Sequence, residues 1–284
     1  WCHLYLYDIK SGTLKNPVTS GDWPVREVLH VDEKTREIRF LASGLKAGED
    51  PYHLHLCRVN FDGTGFRQLT EGDGNHQIEF SPTREFFIDA WSRVDHPPVH
   101  ELRRSVDGTL VSEMERSDLT ALLATGWTMP ERFVTKGRDG KTDIHGILIK
   151  PSHFDPAKKY PVLENIYAGP HSAFVPKDFG RLLELHEFAE QGFIVVKMDG
   201  MGTNHRGKAF HDIAWKNLKD AGFPDRIAWI KAAAATHPWM DLTRVGIYGG
   251  SAGGQSAMRA LLDHNDFYQV AVADCGCHDN RMDK

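Results

Sequence analysis

From residue 1 to about residue 120, apolar and polar positions alternate with a period of two, and turn residues break the alternation at short intervals. That period puts successive side chains on opposite faces of an extended strand. Leu4-Tyr5-Leu6-Tyr7-Asp8-Ile9 runs into Lys10-Ser11-Gly12-Thr13, and Leu54-His55-Leu56-Cys57-Arg58-Val59 runs into Asn60-Phe61-Asp62-Gly63-Thr64-Gly65. Each pattern predicts a hairpin. Thr19-Ser20-Gly21-Asp22 and Thr70-Glu71-Gly72-Asp73 follow at matching offsets, and a weaker third copy starts at Val99-His100-Glu101-Leu102 with its turn at Asp107-Gly108. A recurrence of about 50 residues fits a four-stranded propeller blade. One blade cannot bury both of its faces, so blades must stack. Two or three copies do not close a ring, which leads us to expect a piece of a longer chain. An ordinary antiparallel sandwich is the alternative.

The texture changes near Gly126-Trp127-Thr128-Met129-Pro130. Phe133-Val134-Thr135 and His145-Gly146-Ile147-Leu148-Ile149 flank a turn at Asp139-Gly140, as in an antiparallel hairpin. Beyond it, strand-like and helix-like periods alternate. Strands are expected at Tyr160 to Tyr167, Phe193 to Met198, Val245 to Tyr248 and Val270 to Ala273. Helices are expected at Arg181 to Gln191, Pro224 to Thr236 and through Ala257 to Leu262. This alternation implies βαβ units and a mostly parallel sheet. The expected organisation is therefore residues 1–127 as the last blades of a β-propeller and residues 128–284 as an α/β-hydrolase domain with helices on both faces of its sheet.

Composition narrows the partners. The chain has 284 residues, with 34 Lys and Arg against 39 Asp and Glu, a net charge of −5. That balance argues against a polybasic nucleic-acid binder. No stretch approaches the roughly 20 apolar residues of a bilayer span. Cys2, Cys57, Cys275 and Cys277 are too few for a disulfide scaffold and lean toward a reducing compartment. The start at Trp1 has no initiating Met and no signal core, so the compartment stays open between periplasmic or secreted and cytoplasmic.

The most specific motif is Gly249-Gly250-Ser251-Ala252-Gly253. It fits G-x-S-x-G, and a strand before it and a helix after it supply the context that motif requires. A sharp strand-to-helix turn projects the serine hydroxyl, while Gly249 and Gly253 offer no Cβ to clash. The helix N-terminus favours developing negative charge. Ala252 N–H would point at the oxyanion of a tetrahedral intermediate, where one donor contributes about 3–4 kcal/mol. A serine needs a base. Hydrolases of this class place the acid and the histidine after the serine, separated by further βα units. Asp274 and His278 are too close together to play both parts. The triad Asp and His are therefore expected beyond residue 284, and this chain alone is expected to be close to inactive.

Lys158-Lys159-Tyr160-Pro161-Val162 through Tyr167-Ala168-Gly169-Pro170, then Met198-Asp199-Gly200-Met201-Gly202, then Gly249 to Gly254 closely resemble the prolyl oligopeptidase family, nearest its dipeptidyl-peptidase IV branch. The likeness extends over the blades, most clearly from Tyr5-Leu6-Tyr7-Asp8 to Ser20-Gly21-Asp22-Trp23. It implies a serine peptidase acting on short peptides through an acyl-enzyme on Ser251, with the propeller as a filter. It also implies that Tyr167 is the oxyanion-hole tyrosine beside Ala252 N–H. Independently, Tyr167 falls at the carboxyl end of a predicted parallel strand, on the ligand-binding edge of such a sheet. A homodimer is a further expectation from the resemblance. No metal or organic cofactor is implied. The branch has an aromatic residue after its nucleophile where this sequence has Ala252, so post-proline cleavage does not carry over. An esterase or amidase on small acyl substrates, and a non-catalytic binding module of the same fold, stay as alternatives.

Weaker signals are read as structural. Gly200-Met201-Gly202 lacks the third glycine of a dinucleotide fingerprint. His186-Glu187-Phe188-Ala189-Glu190 lacks the second histidine of a zinc helix and reads as a surface face. His53 and His55 share a strand face that reads as solvated or paired. Cys275-Gly276-Cys277-His278 has no second ligand cluster. Asp32-Glu33-Lys34 and the charges from Glu113 to Asp118 read as solvated turns.

Overall fold

The computed structural model describes residues 1–279 and 281. Two compact units emerge: Trp1–Asp118 with the short segments Lys177–Phe179 and His205–Lys208, and Leu119–Pro176 with Gly180–Asn204 and the chain from Ala209 onward.

The first unit follows the period-two pattern. β1 (Tyr5–Tyr7) and β2 (Leu14–Pro17) form a hairpin. β3 (Val25–Asp32), β4 (Glu37–Ser43), β5 (Leu54–Asn60) and β6 (Arg67–Gln68) form a four-stranded antiparallel meander. β7 (Asn75–Phe80), β8 (Phe86–Arg93), β9 (His96–Arg104) and β10 (Leu110–Arg116) form a second one. The three expected hairpins are β1–β2, β5–β6 and β9–β10, so each recurring segment closes a sheet. Their turns share one chemistry. Asp8, Asp62 and Asp107 each accept a backbone N–H two residues on, at 2.9–3.0 Å. Gly12, Gly63 and Gly108 sit beside them at φ 68°, 85° and 77°, where glycine costs least.

β4 buries both of its faces. Phe40 and Ala42 pack with Val18, Cys57 and Val59, while Leu41 packs on the other side with Leu56, Leu69 and Phe87. The second cluster joins β4 and β5 of one meander to β8 of the next, so the two sheets stack as propeller blades do. Of the two readings of the His53 and His55 face, the paired one holds: both are buried, and His53 lies 3.4 Å from an Asp73 carboxylate oxygen. His55 bonds Glu49 at 3.0 Å and Thr70 at 3.2 Å, and its ring lies 4.7 Å from that of His76. Glu113 to Arg116 belong to β10, not to a turn. Every residue of β10 is exposed, and charge along such an edge blunts strand-to-strand association.

In the second unit β11 (Glu131–Lys136) and β12 (Asp143–Ile149) form the expected hairpin across Asp139-Gly140. β13 (Tyr160–Asn165), β14 (Ile194–Met198), β15 (Met240–Gly250) and β16 (Val270–Asp274) run parallel in a six-stranded sheet of order β11-β12-β14-β13-β15-β16. The chain passes from β13 to β14 on one side and then returns to β15 on the other, so the strand order reverses at β13. Ligands bind outside the carboxyl ends of strands at such a switch point. Single helical turns occur at α1 (Thr120–Leu123) and α3 (Lys208–His211); the longer helices are α2 (Leu183–Glu190), α4 (Phe223–Thr236) and α5 (Ala252–Asp263).

Helices cover both faces, as βαβ units require. Val245 and Ile247 of β15 join Trp229, Ile230 and Ala233 of α4 and Ala257 and Ala260 of α5 in the core. Tyr248, one residue on, turns to the opposite face and meets Phe188 of α2 at 4.7 Å. A polar tie crosses the α4 side. Arg226 of α4 and Glu164 of β13 are both fully buried and pair at 2.7 Å, and Tyr268 donates to the second Glu164 oxygen at 2.7 Å. His186 is not on a surface face. It is buried, its two ring nitrogens lie 3.2 and 3.0 Å from the carbonyl oxygens of Leu182 and Thr128, and it stacks on Trp127.

Candidate active site

β15 ends in Gly249-Gly250, and α5 begins at Ala252. Ser251 between them has φ 56° and ψ −122°, a left-handed conformation that costs a side-chain-bearing residue about 1–3 kcal/mol. Three hydrogen bonds of its backbone groups, one of them to a side chain's sulfur, hold it there. Ser251 N–H donates to the Asp274 carbonyl at 3.0 Å and to the Cys275 sulfur at 3.3 Å, and the Ser251 carbonyl accepts from Gln255 N–H at 3.0 Å. Ser251 is exposed, and among the described residues nothing hydrogen-bonds its hydroxyl.

The glycines around the bend are steric necessities. A Cβ on Gly249 or on Gly253 would fall on the carbonyl oxygen of Ile166. The Gly249 Cβ would also lie 2.7 Å from the Gly253 carbonyl carbon. Gly254 is equally constrained, because its Cβ would fall on the Asp274 carbonyl oxygen. This third glycine escapes a reading of G-x-S-x-G, since its neighbour is the end of β16, twenty residues away. Gly250 is different: the nearest atom to a Cβ there is Asp274 Oδ2 at 3.7 Å, an ordinary contact.

The strand expected to reach Tyr167 ends at Asn165. Ile166 still donates to the Tyr248 carbonyl at 2.9 Å, and the chain then leaves the sheet across the first turn of α5. Tyr167 therefore sits beside the bend, its Cδ2 3.5 Å from where a Gly253 Cβ would be. Its ring is wedged against Phe174 at 4.5 Å and meets His171 edge-on at 5.9 Å. The half-buried phenol hydroxyl makes no hydrogen bond among the described residues.

Two cavities flank the bend. One, of about 440 Å³, is lined by Tyr167, Gly249, Glu184, Lys197 and Tyr248. Burial lowers the Lys197 ammonium from its ordinary value and raises the Tyr248 phenol. Lys197 donates to the Asn165 side chain at the end of β13, a partner that sequence reading missed. The other cavity, of about 560 Å³, is lined by Ala252, Gly169, His171, Gln255, Arg259 and His278. Asp274 serves the bend through its carbonyl, and neither its carboxylate nor His278 hydrogen-bonds Ser251. Among the described residues no group of three or more His, Cys, Asp or Glu is arranged to hold a metal ion.

A serine strained into the left-handed region between a parallel strand and a helix, at the carboxyl edge of a sheet covered on both faces, defines an α/β-hydrolase, here preceded by propeller blades. The family model described as "Prolyl oligopeptidase family" matches residues 180–284, and that of the "Dipeptidyl peptidase IV (DPP IV) N-terminal region" matches residues 1–98. The chain belongs to the prolyl oligopeptidase family, in its dipeptidyl-peptidase-IV-like branch. It is 30% identical over 269 residues to human dipeptidyl peptidase 8, covering 90% of this chain and 29% of that protein. It is 29% identical to the probable dipeptidyl-aminopeptidase B of Emericella nidulans, covering 92% of this chain and 29% of the relative. The crystal structure of Porphyromonas gingivalis dipeptidyl peptidase 4 superposes with a TM-score of 0.76 at 27% identity, covering 94% of this chain and 37% of that one. The chain thus spans under a third of the length of these curated relatives. No helix among the described residues is long and apolar enough to cross a membrane.

Proposed function

We propose that the protein is a serine peptidase acting on short peptides, in the manner of the dipeptidyl peptidases it resembles. Residues 1–127 form the propeller part and residues 128–284 the hydrolase part. Ser251 Oγ attacks the scissile carbonyl carbon, giving a tetrahedral intermediate. Ala252 N–H and Tyr167 O–H donate to its oxyanion. Collapse expels the amine and leaves an acyl group on Ser251, which water then removes. The base that takes the Ser251 proton, and the acid that orients it, are assigned to sequence beyond residue 284 rather than to Asp274 and His278. The strain at Ser251 is the observation that carries this reading: an exposed hydroxyl, without a hydrogen bond among the described residues, is held in a costly conformation by three glycines and a clamp on its backbone groups.

The test uses a fluorophosphonate probe on the full-length protein, with peptide and ester substrates compared side by side. Labelling that disappears in Ser251→Ala, together with peptide hydrolysis, is expected. Ester turnover without peptide turnover would make it an esterase. Absence of labelling in either form would leave a binding module.

A further inference from the structure

The residue that follows β14 carries a buried carboxylate with no part in the chemistry described above. We propose that this residue, Asp199, is a positioning residue for Tyr167: it pins the loop after β13 through two main-chain amides, and that loop sets the tyrosine ring. The consequence for turnover rests on the peptidase reading above, in which the Tyr167 hydroxyl donates to the oxyanion.

Asp199 is 1% exposed. Among the described residues its side chain hydrogen-bonds only the loop. Phe174 N–H lies 3.0 and 2.9 Å from the two carboxylate oxygens, and Val175 N–H donates to the second at 2.8 Å. Taking a carboxylate out of water is costly unless hydrogen bonds replace its hydration, and here two amides of one loop supply them. Neither amide belongs to a helix or a strand, so the carboxylate is the partner that fixes this stretch. Pinning Phe174 restrains Tyr167. The Phe174 ring lies 4.5 Å from that of Tyr167 and 5.5 Å from that of His171, and the Tyr167 and His171 rings meet at 5.9 Å, so three rings of one loop lock together. Gly169 permits the fold-back: a Cβ there would stand 2.6 Å from His171 Cε1 and 3.0 Å from Tyr167 Cε1.

The platform under Asp199 is itself held. Met201 N–H donates to the Asp225 carboxylate of α4 at 2.9 Å, and the Gly200 backbone packs directly on Gly222, where a Cβ on either would stand 2.9 Å from the other's Cα. The rest of the loop is stapled to the same stretch of chain. Asn204 N–H donates to the Ser172 carbonyl at 3.1 Å, and the His211 ring donates to the Pro170 carbonyl at 2.8 Å. Asp199 differs from these in where it acts, because its bonds fall on Phe174, whose ring packs on the ring that bears the phenol. A misplacement of about 1 Å, even from a change remote from the chemistry, can cost about 10² in rate. A side chain that never touches substrate can therefore be read in kcat.

Peptide hydrolysis by the full-length protein is compared in Asp199→Asn, Tyr167→Phe and the double variant. Asparagine keeps the size but accepts with one oxygen only, and its NH2 group faces a loop N–H. Asp199→Asn alone is expected to lower kcat about ten- to a hundredfold with KM within about twofold. In the Tyr167→Phe background it is expected to cost less than about twofold, because the group it positions is gone. Equal losses in both backgrounds, or an unchanged kcat in Asp199→Asn, would overturn the proposal. Should Asp199→Asn fail to fold, Phe174→Leu enters the same cycle, since it leaves the carboxylate and its amides in place and removes the ring; a loss that persists in Tyr167→Phe again overturns it. A second readout needs no turnover. With 3-fluorotyrosine incorporated, the fluorine resonance absent from Tyr167→Phe reports this ring. Asp199→Asn, or Phe174→Leu in its place, is expected to shift or broaden it, and an unmoved resonance would refute the positioning role. If the unmodified protein neither hydrolyses peptides nor labels with fluorophosphonate, the peptidase reading falls and the resonance alone decides.

Discussion

Ser251 is held where an L-residue is unfavourable, and this should be visible in stability as well as in chemistry. Ser251→Ala keeps the Cβ and the strain, whereas Ser251→Gly removes both. Glycine ordinarily weakens a structure by about 0.5–1 kcal/mol relative to alanine. At φ 56° the order should invert, with Ser251→Gly more stable than Ser251→Ala by about 1 kcal/mol. Urea midpoints of the two variants measure this, and the ordinary order would show that the bend is unstrained. Tyr167→Phe keeps the ring wedged on Phe174 and deletes only the hydroxyl. Loss of one oxyanion donor lowers turnover by about 10²–10³, so kcat should fall by that factor with KM little changed. A fall in KM-dependent binding alone would make Tyr167 a wall rather than a donor.

Elements show where sequence patterns suffice and where they do not. α4 was legible because Pro224 suits a first turn and the apolar positions recur at helical spacing; the helix runs Phe223–Thr236. β15 was legible only in part. Its apolar run, Val245 to Tyr248, was plain, but the strand begins at Met240, because Met240 and Asp241 pair with Tyr160 and Pro161 across a register shift. Asp241, Thr243 and Arg244 hide that extension. The bend itself was legible from its glycines, while Gly254 and the Cys275 sulfur depend on β16 arriving beside α5, which no local pattern encodes.

β5 offers a pH test at the same scale. Burial, then the charges of His76, Lys46 and His53, push the His55 imidazole down to about 2, against the pull of Glu49. The unfolded chain takes up a proton near pH 6.5 that the folded chain refuses. Stability from this group is therefore complete above pH 6.5 and falls as pH drops toward 2, by up to about 1.4 kcal/mol per pH unit. Exchange protection of β5 amides between pH 7 and pH 5 should show that slope. His55→Gln should flatten it, and an identical slope would place the sensitivity elsewhere.

For the whole molecule, the order of blades before hydrolase was readable because the period of the pattern changes from two to an alternation of strands and helices near residue 127. Less readable was how the sheet of the second unit presents its rim. β16 is an edge strand, with Val270 and Val272 about 60% exposed. A bare apolar edge invites pairing between chains. The 284-residue chain should associate as concentration rises, and Val272→Lys should suppress that in light scattering. Equal scattering from both would mean the edge is inert.

The contact between the Ile166 carbonyl and the glycines of the bend has a broader consequence. No side chain stands between these two backbones, so the spacing from residue 167 to residue 251 is fixed by main-chain geometry alone. Substitutions at cavity positions that touch neither these backbones nor the Tyr167 ring, such as Glu184 or Arg259, should leave that spacing unchanged. Descendants of this chain can thus diverge in what they hold while inheriting one unaltered ruler between the backbones that carry the hydroxyl and the phenol.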